Sequence, residues 1–419
     1  MNREHNRLLT EVESDAPMGV FMRQQWIPCA LSATLIADGA PKRVQLLGKN
    51  YVAFRASDGR IGFFDEACPH RGVSLVLARN EDCALRCIFH GWKFDVSGKV
   101  VDIPSEGERT PEYAARIKLN HYPIFEGGGL LWVFLGERDA SGALPLKPPL
   151  PFVDLPKENV WISRSIAPSN WLQGVEGTID SVHVGTLHRS WIAKQFQAQG
   201  GGASIGLTIT NHPRYEVEHT DYGLRAAALR TLADGKQYVR VTEYVMPFVS
   251  LVPGGSSRRT GTMFIAVPMN NVSHMLFWGL WDEDGPTDYL NSEQVLRIEE
   301  RDIDNYAQAV ADEEGTWGQN RAAMAEGHFS GFDGCLLDED MVVQASMGPI
   351  ADRTKEQLVP SDVGVMQTRR RLLEELGVMA PIKPRSASAG IVRPLDTIAD
   401  ASYVWREARP DAQLLEEQR

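Results

Sequence analysis

Residues 68–99 read CPHRGVSLVLARNEDCALRCIFHGWKFDVSGK and contain two cysteine–histidine pairs sixteen residues apart, Cys68-Pro-His70 and Cys87-Ile-Phe-His90. Two Cys and two His at this spacing can hold a [2Fe–2S] cluster, with the thiolates on one iron and the imidazoles on the other. A glycine, Gly72 or Gly91, follows each pair and favours a tight loop that closes over the cluster. The stretch therefore predicts a redox centre, and with it a small β-rich domain.

The same four side chains could also form a structural zinc site, since two Cys and two His are a common zinc ligand set. The order of the ligands argues against zinc. Zinc sites usually take both cysteines from one short segment and both histidines from another. Here each segment supplies one Cys and one His. We therefore expect an electron-carrying cluster, and structural zinc is the alternative.

Length and composition are those of a soluble cytoplasmic enzyme. The chain has 419 residues, enough for two domains. Its net charge of −12 argues against nucleic acids and anionic membranes as partners. It contains no apolar run of about twenty residues that could span a bilayer, and its first residues lack the apolar core of a secretory signal. Five cysteines, two of them assigned to the cluster, make no disulfide framework, which suits a reducing compartment.

The pattern of strands and turns predicts an α+β chain of two domains. After a helical N-terminal segment, residues 1–23, we expect an all-β cluster domain over residues 24–142, with turns at Gly48, Asp58-Gly59 and residues 125–129. Five prolines between residues 143 and 156 disfavour regular structure and mark the boundary. Residues 143–419 form the predicted catalytic domain, an antiparallel sheet flanked by helices.

Within the second domain the periodicity predicts several antiparallel strands over about residues 205–281 and mainly helices from residue 292 onward. Helices are expected over residues 169–187, over residues 292–315 as the longest of the domain, and over residues 361–377. The last of these should begin with a Ser361 cap and end at Gly377, because serine favours a helix start and glycine a helix end.

A second group of metal-ligating residues lies in the predicted helix 169–187. Asp180 and His183 are three residues apart and share a helical face, whereas His188 is about 140° around the helix from His183. Both imidazoles can reach one metal only if the helix distorts or ends near Gly185, as at a π-bulge. Two His and one carboxylate would form a facial triad that leaves positions on Fe(II) for O2 and substrate.

The carboxylate of the triad has three candidates in the segment LLDEDMVVQASM, namely Asp338, Glu339 and Asp340. Asp340 shares a helical face with Val343, Gln344 and Met347, and we expect the two apolar residues to turn that face inward. The alternative is that the acids form a solvated helix N-terminus, where negative charge is favourable. Spacing alone does not choose among them.

The whole chain resembles the oxygenase α-subunits of the Rieske non-haem iron aromatic ring-hydroxylating enzymes, and within them the phthalate-dioxygenase-like branch. The strings that carry the resemblance are APMGVFMRQQWIP, CPHRGVSL, C-x-x-HGWKFDVSGK, NWLQGVEGTIDSVH, QASMGPIADRT and RRRLLEELG. One departure is Phe89, where the branch usually has tyrosine. The resemblance implies a Rieske [2Fe–2S] cluster on the two Cys–His pairs and a mononuclear Fe(II) on His183, His188 and Asp340.

The resemblance also implies partners and an electron path. Asp180 matches the acid that links the two metal centres, and it would meet His90 of a neighbouring subunit in a head-to-tail homotrimer, alone or stacked as a hexamer. A ring of this kind needs a heterologous interface that closes. Electrons would come from NAD(P)H through a separate flavin and iron–sulfur reductase, because the chain carries no reductase signature of its own.

The expected reaction is dihydroxylation of an aromatic carboxylate of the phthalate, isophthalate or chlorobenzoate type, with O2 as co-substrate. The alternative is a Rieske monooxygenase that demethylates or monohydroxylates an aromatic compound. A simple electron carrier would not need the large second domain. A substrate carboxylate calls for an arginine in an apolar pocket, for which Arg240 is the first candidate and Arg214 and Arg230 are weaker ones. The alternative for these arginines is the solvent face of the sheet.

Overall fold

The computed structural model describes residues 1–199, 212–253, 259–287, 297–383, 385 and 393–406, without the side chains of residues 195–199. The chain divides into two compact units. The first unit is Val12–Lys147, and the second unit comprises Met1–Glu11 and Pro148–Arg419. In the described part of the chain, no helix has both the length and the apolar character needed to cross a bilayer.

The first unit consists of three small antiparallel sheets. Its strands, in chain order, are β1 (Trp26–Leu31), β2 (Lys42–Leu46), β3 (Lys49–Arg55), β4 (Ile61–Asp65), β5 (Arg79–Glu81), β6 (Ala84–Arg86), β7 (Lys93–Asp95), β8 (Val100–Asp102), β9 (Ile124–Gly127) and β10 (Leu130–Phe134). The sheet orders are β1-β10-β9, β2-β3-β4 and β5-β6-β7-β8. This confirms the predicted all-β fold, although two short helices, Pro17–Arg23 and Thr110–Ala114, also belong to the unit.

The predicted turns of this unit are present. Gly48 and Gly59 have φ angles of 82° and 84°, and Gly128 and Gly129 have φ angles of 59° and 74°. Positive φ is the left-handed region that glycine enters without a steric penalty. Local turn chemistry therefore sets the hairpins β2–β3, β3–β4 and β9–β10. The β4–β5 and β6–β7 connections carry the two Cys–His pairs.

The second unit contains one eight-stranded antiparallel sheet, which confirms the α+β class. Its strands are β11 (Val160–Ala167), β12 (Arg214–His219), β13 (Gly223–Thr231), β14 (Gln237–Val245), β15 (Val249–Pro253), β16 (Thr260–Pro268), β17 (His274–Asp282) and β18 (Leu395–Ala399). The order is β11-β17-β16-β15-β14-β13-β12, and β18 pairs with the first half of β14. The part of the predicted strand region before residue 212 lies outside the described residues.

Helices of the second unit pack against this sheet and each other. In chain order they are α1 (Arg3–Thr10), α2 (Trp171–Ile179), α3 (Val182–Thr186), α4 (Arg189–Gln199), α5 (Arg321–Ala325), α6 (Leu336–Ser346) and α7 (Val363–Glu375). Helix α2 packs on β15, β16 and β17, α6 contacts α2 and β11, and α7 contacts α1, β12 and β13. The contact of α6 with α2 brings Asp340, on α6, to the segment that follows α2, which carries His183 on α3 and His188 just after it.

Three predictions about helices need correction. The helix expected over residues 292–315 is wrong where it is described, since residues 297–315 contain only a 3₁₀ turn, Ile298–Glu300. Instead the backbone of Arg164 donates to the carbonyl of Ile303 (2.6 Å) and accepts from Tyr306 N–H (2.9 Å). The segment thus runs along β11, and tertiary hydrogen bonds override helical periodicity. Residues 292–296 lie outside the described part.

The other two corrections concern helix ends. Helix α7 follows a 3₁₀ turn, Pro360–Asp362, and begins at Val363 with Asp362 as its N-cap residue, so the Ser361 cap is wrong. Gly377 does end it, with a φ of 70° just beyond the C-cap residue. The helix expected over residues 169–187 is two helices, α2 and α3, separated by Asp180 and Ser181.

Candidate metal centres

The two Cys–His segments of the first unit form matching loops. Cys68 N–H donates to the carbonyl of the residue five places on (2.8 Å) and Gly72 N–H donates back to the Cys68 carbonyl (2.9 Å). Cys87 and Gly91 repeat both bonds, each at 2.9 Å. The two glycines have φ angles of 79° and 75°, the left-handed region that favours glycine, so each is suited to the tight turn that closes its loop. The chain thus builds one ligand loop twice.

The four predicted cluster ligands divide between core and surface. Cys68 and Cys87 are 3% and 4% exposed and belong to the hydrophobic core of the unit. The imidazoles of His70 and His90 are exposed, with ring centroids 4.6 Å apart. Trp92 stacks on His70 at 4.4 Å with its plane tilted by only 10°. One side of the site is therefore dry and thiol-lined, and the other carries the histidines to the surface.

Charge around Cys68 fits a metal cluster. Burial raises the pKa of the Cys68 thiol to about 11, the backbone N–H of His70 opposes that shift, and the neighbouring Cys87 thiol adds to it. A buried thiol such as that of Cys68 is a poor acid without a metal, whereas an iron cluster would compensate its thiolate. Backbone N–H groups directed at sulfur are a usual feature of iron–sulfur sites. The donor set fits a cluster with two Cys and two His ligands.

The second group of residues begins at the break between α2 and α3, where Asp180 lies. Helix α2 begins with Asn170, whose side chain accepts from Leu172 N–H (3.1 Å), and it ends at Ile179. Asp180 then accepts from Val182 N–H through Oδ1 (2.7 Å) and so starts the next helix. This break precedes both histidines and does not change their relative positions. Helix α3 ends at Thr186, next to Gly185 and before His188, as the predicted helix end near Gly185 has it, and without a π-bulge.

His183, His188 and Asp340 converge on one point. Asp340 Oδ1 lies 3.6 Å from His183 Nε2 and 3.2 Å from His188 Nε2. The potential ligand atoms of these three residues lie within 4.8 Å of one another. Donors bound at about 2.1 Å around a single ion are separated by distances of this order. The three side chains can accept one metal ion without rearrangement of the backbone.

The three acids of α6 have three different partners. Asp338 forms an ion pair with Arg301 at 2.7 Å. Glu339 is fully buried, and its Oε2 lies 2.6 Å from His188 Nδ1. Only Asp340 faces both Nε2 atoms. The solvated-terminus alternative is therefore wrong for these acids. No pattern in the sequence distinguishes Glu339 from an ordinary surface acid, and the sequence does not predict its contact with His188.

The prediction that apolar neighbours turn the helical face of Asp340 inward is wrong. Val343 and Met347, which were expected to turn its helical face inward, are 37% and 52% exposed. The buried side of α6 carries other residues, namely Leu337, Glu339, Met341, Val342, Gln344 and Ala345. Asp340 lies at the border of that side, one turn into the helix, where its carboxylate reaches the imidazoles.

Electrostatics at the site favour a cation. Burial acts to lower the pKa of His188, but the carboxylates of Asp340 and Glu339 outweigh burial and raise this pKa to about 10. Burial acts to raise the pKa of Asp340, but His188 outweighs it and this pKa is lowered. In the same way His183 lowers the pKa of Asp180 against its burial. Excess negative charge that stabilises a proton on His188 would also stabilise a divalent metal.

The candidate substrate arginines have different surroundings. Arg240 is 11% exposed, and its Nη1 lies 3.7 Å from Asp396 Oδ2 on the paired strand β18. Arg230 is fully buried and donates to the Ser181 carbonyl at 2.8 Å. Arg214 is 66% exposed. Solvent exposure, the alternative for all three, therefore holds for Arg214 alone.

Comparison with known proteins agrees with this geometry. The sequence model of the Rieske [2Fe-2S] domain matches residues 25–123, and that described as LigXa C-terminal domain like matches residues 133–399. The chain is 36% identical over 388 residues to the phthalate 4,5-dioxygenase oxygenase subunit of Pseudomonas putida, an alignment that covers 89% of this chain and 85% of the relative. The chain belongs to the Rieske non-haem iron ring-hydroxylating oxygenases.

Other relatives of this Rieske oxygenase support the same branch and fold. It is 35% identical over 393 residues to the 3-chlorobenzoate-3,4-dioxygenase oxygenase subunit of Comamonas testosteroni, with 88% of each chain covered. The terminal oxygenase of carbazole 1,9a-dioxygenase from Nocardioides aromaticivorans IC177 superposes with a TM-score of 0.59 at 20% identity, covering 89% of this chain and 97% of that one. The similarity to the carbazole dioxygenase structure concerns the fold alone.

Family membership decides between the two metal alternatives for the Cys–His pairs. The cofactors of a Rieske oxygenase are a [2Fe–2S] cluster and a mononuclear iron, so the structural zinc alternative is wrong. An oxygenase subunit belongs to a multicomponent system, which implies a separate reductase that supplies electrons and an aromatic substrate. The assignment of individual ligands remains a prediction, as do the predicted domain boundaries.

Proposed function

We propose that this Rieske oxygenase dihydroxylates an aromatic carboxylate, using iron held by His183, His188 and Asp340. The observation that supports the iron site is the approach of Asp340 Oδ1 to both histidine Nε2 atoms, at 3.6 and 3.2 Å. The bound iron supplies O2 activation, and the cluster on the two Cys–His pairs supplies the electrons. Two histidines and one carboxylate leave open coordination positions for O2 beside the substrate.

Asp180 is the proposed link between the two centres. One carboxylate oxygen is occupied by Val182 N–H at 2.7 Å, and the other faces His183 Nδ1 at 3.6 Å. Its side chain is 30% exposed, so that a second N–H donor has room to approach. In a head-to-tail trimer that donor would be the partner subunit's His90. A carboxylate between two imidazoles orients both rings and couples their protonation.

The proposed substrate is an aromatic carboxylate, because relatives at 35–36% identity are named for phthalate and 3-chlorobenzoate. Arg240 is the proposed residue that binds the carboxylate. Its guanidinium is nearly buried, and its distance to Asp396, 3.7 Å, is longer than a hydrogen bond. A substrate carboxylate could therefore form a closer pair with the guanidinium than Asp396 does.

Replacing Arg240 with alanine tests this assignment, with Arg214→Ala as the matched control on an exposed arginine. We expect Arg240→Ala to raise the KM for accepted carboxylates by about 10- to 100-fold, the loss of one charge-assisted pair, while Arg214→Ala leaves KM unchanged. Steady-state kinetics with each substrate measures both. An unchanged KM in Arg240→Ala would show that the carboxylate binds elsewhere.

The reaction type is tested with labelled O2. Purified oxygenase, a compatible reductase and NAD(P)H are given phthalate, isophthalate, chlorobenzoates and methoxybenzoates under ¹⁸O2, and the label in each product is counted by mass spectrometry. Two labelled oxygens in a cis-diol support the dioxygenase proposal. One labelled oxygen, or loss of formaldehyde from a methoxy substrate, would instead support the monooxygenase alternative.

The proposed assembly is a homotrimer, alone or stacked as a hexamer, that works with a flavin and iron–sulfur reductase in the cytoplasm. Neither nucleic acid nor membrane is a proposed partner, in keeping with the net charge of −12. Light scattering should give a mass of about 140 kDa for three 46.5 kDa chains, or about twice that for a hexamer. A monomer mass at working concentration would contradict the proposal.

A further inference from the structure

Glu339 makes a closed set of contacts beside the proposed iron site. The residue lies on α6 with no exposed surface, and its Oε2 is 2.6 Å from His188 Nδ1. Its other oxygen accepts a hydrogen bond from the hydroxyl of Ser330, which is 7% exposed. The Ser330 hydroxyl oxygen in turn accepts from Phe332 N–H at 3.2 Å. Both carboxylate oxygens are therefore engaged, one by the histidine and one by a buried serine.

This arrangement is costly unless a cation lies nearby. Taking a carboxylate out of water is unfavourable unless it is paired with a positive charge. Within the described residues, the only ion pair of Glu339 is with His188, and no lysine or arginine reaches it. The neighbouring acid Asp338, by contrast, has Arg301 at 2.7 Å. The positive charge that balances Glu339 must therefore lie on the His188 ring itself or on an ion bound at its Nε2.

We propose that Glu339, held by Ser330, is a positioning residue for the mononuclear metal: it keeps His188 protonated at Nδ1, so that Nε2 presents its lone pair to the ion. The inference rests on the proposed iron site. In that tautomer the ring donates to Glu339 and directs Nε2 towards the space shared with Asp340, 3.2 Å away. A carboxylate behind a ligand histidine also makes the ring a stronger donor to the metal.

The two ligand histidines are supported differently. His183 Nδ1 is 3.6 Å from Asp180, whose side chain is 30% exposed. His188 Nδ1 is 2.6 Å from Glu339, whose side chain is fully buried. The first contact is loose and accessible, as an acid shared with a second redox centre requires. The second is short and dry, which suits a fixed support. We assign metal retention to the Glu339 side of the site and electron coupling to the Asp180 side.

The test measures metal affinity, not turnover. Enzyme with its Rieske cluster intact and its mononuclear iron removed is titrated with Co(II), and binding is followed in the visible spectrum. We expect Glu339→Gln, which preserves size and folding contacts, to weaken Co(II) binding by about 10- to 100-fold. Ser330→Ala should give a smaller loss in the same direction, because it frees the carboxylate to turn. Cluster absorbance and thermal midpoint should stay close to those of the wild type.

Two further variants make the result decisive. Asp338→Asn removes an acid from the adjacent position of α6 without touching His188, and its Co(II) affinity should equal that of the wild type. Asp340→Ala removes the proposed ligand itself. If Asp340→Ala abolishes binding while Glu339→Gln binds normally, the positioning inference is wrong and the iron site stands. If Asp340→Ala also binds normally, the proposed iron site fails and the inference fails with it.

Discussion

His274 shows how one buried side chain sets a pH limit on stability. Its ring is fully buried in the second unit, with Nδ1 2.7 Å from the Ser169 carbonyl, and burial lowers its pKa to about 4. The unfolded chain takes up this proton near pH 6.5, whereas the folded chain resists until about pH 4. The contribution of neutral His274 to the free energy of unfolding is therefore fully present above pH 6.5. It is lost as the pH falls from 6.5 to about 4, by at most about 3 kcal/mol.

His274→Gln should remove this pH dependence, because a neutral amide takes up no proton. The matched control is His212→Gln, an exposed histidine of the same unit. Thermal midpoints of the wild type and both variants, measured from pH 7.5 to 4.5, provide the comparison. The wild type and the control should lose stability together on acidification while His274→Gln loses less. Parallel curves for all three proteins would show that His274 does not contribute.

Asp180→Asn separates the binding of metals from the passage of electrons. The amide oxygen of asparagine can still accept from Val182 N–H, so the start of α3 should survive. The negative charge facing His183 Nδ1 is lost. We expect both metals to be retained and turnover to fall by about 100-fold, the upper end of the loss seen when a partner of a ligand histidine is removed. Metal analysis tests whether both metals are retained, and the rate of cluster reoxidation with substrate and O2 tests the coupling. A normal rate of reoxidation would contradict the coupling role of Asp180.

At the scale of elements, two glycines of α2 make a sharp comparison. A Cβ at Gly174 would lie 2.6 Å from His274 Nε2 and 3.0 Å from Ala266 Cβ, both in the sheet beneath the helix. A Cβ at Gly177 would meet only the end of a flexible side chain, Gln344 Nε2, at 3.1 Å. Alanine gains about 1 kcal/mol over glycine within a helix, whereas overpacking costs about 1–3 kcal/mol.

Gly174→Ala should therefore destabilise the protein, and Gly177→Ala should leave its stability unchanged or slightly increase it. Thermal unfolding of the two variants beside the wild type tests the pair. Because both positions lie in the same helix, helix propensity alone predicts equal gains. Equal shifts of the thermal midpoint would mean that close approach to the sheet is not what requires glycine at position 174.

The elements also show which features of the fold can be read from the chain. The β2–β3 and β3–β4 hairpins were predictable because their turns are local and Gly48 and Gly59 carry the required positive φ. The helix expected near residue 303 does not form. Hydrogen bonds to Arg164, far away in the sequence, determine the backbone of that segment instead. Local chemistry is visible in a sequence, and competition from distant partners is not.

The same limit applies to the site. The Cys–His pairs and the two histidines of α3 and its C-terminal end could be found because each set is close in sequence. Spacing could not choose among Asp338, Glu339 and Asp340, since their partners lie between about 40 and 160 residues away. Family resemblance pointed to Asp340 but gave no role to Glu339. Only the folded structure shows that Asp338 forms an ion pair, that Glu339 contacts Nδ1 of a histidine, and that Asp340 faces the Nε2 atoms of both histidines.

At the scale of the whole molecule, the chain contains two centres in two units, each with one open side. The cluster unit exposes His70 and His90, and the iron site has the partly exposed Asp180 behind His183. A ring of subunits that joins the cluster side of one chain to the Asp180 side of the next would use each open side once. Such an interface is heterologous and must close into a ring, as it would in the proposed trimer.

Mixed rings test whether electrons cross between subunits. Cys87→Ser disables the cluster and Asp340→Ala disables the iron, so neither homotrimer should be active. In a ring of three, every mixed trimer has one junction where an intact cluster faces an intact iron. One working junction of three predicts about a third of the wild-type activity for each isolated mixed trimer. The two variants are co-expressed with different tags, and mixed trimers are isolated by tandem purification, with cluster and iron contents measured in each preparation. Separately assembled trimers combined after purification are the control and should stay inactive. If electrons instead pass within one chain, the mixed trimers will be as inactive as their parents despite full assembly.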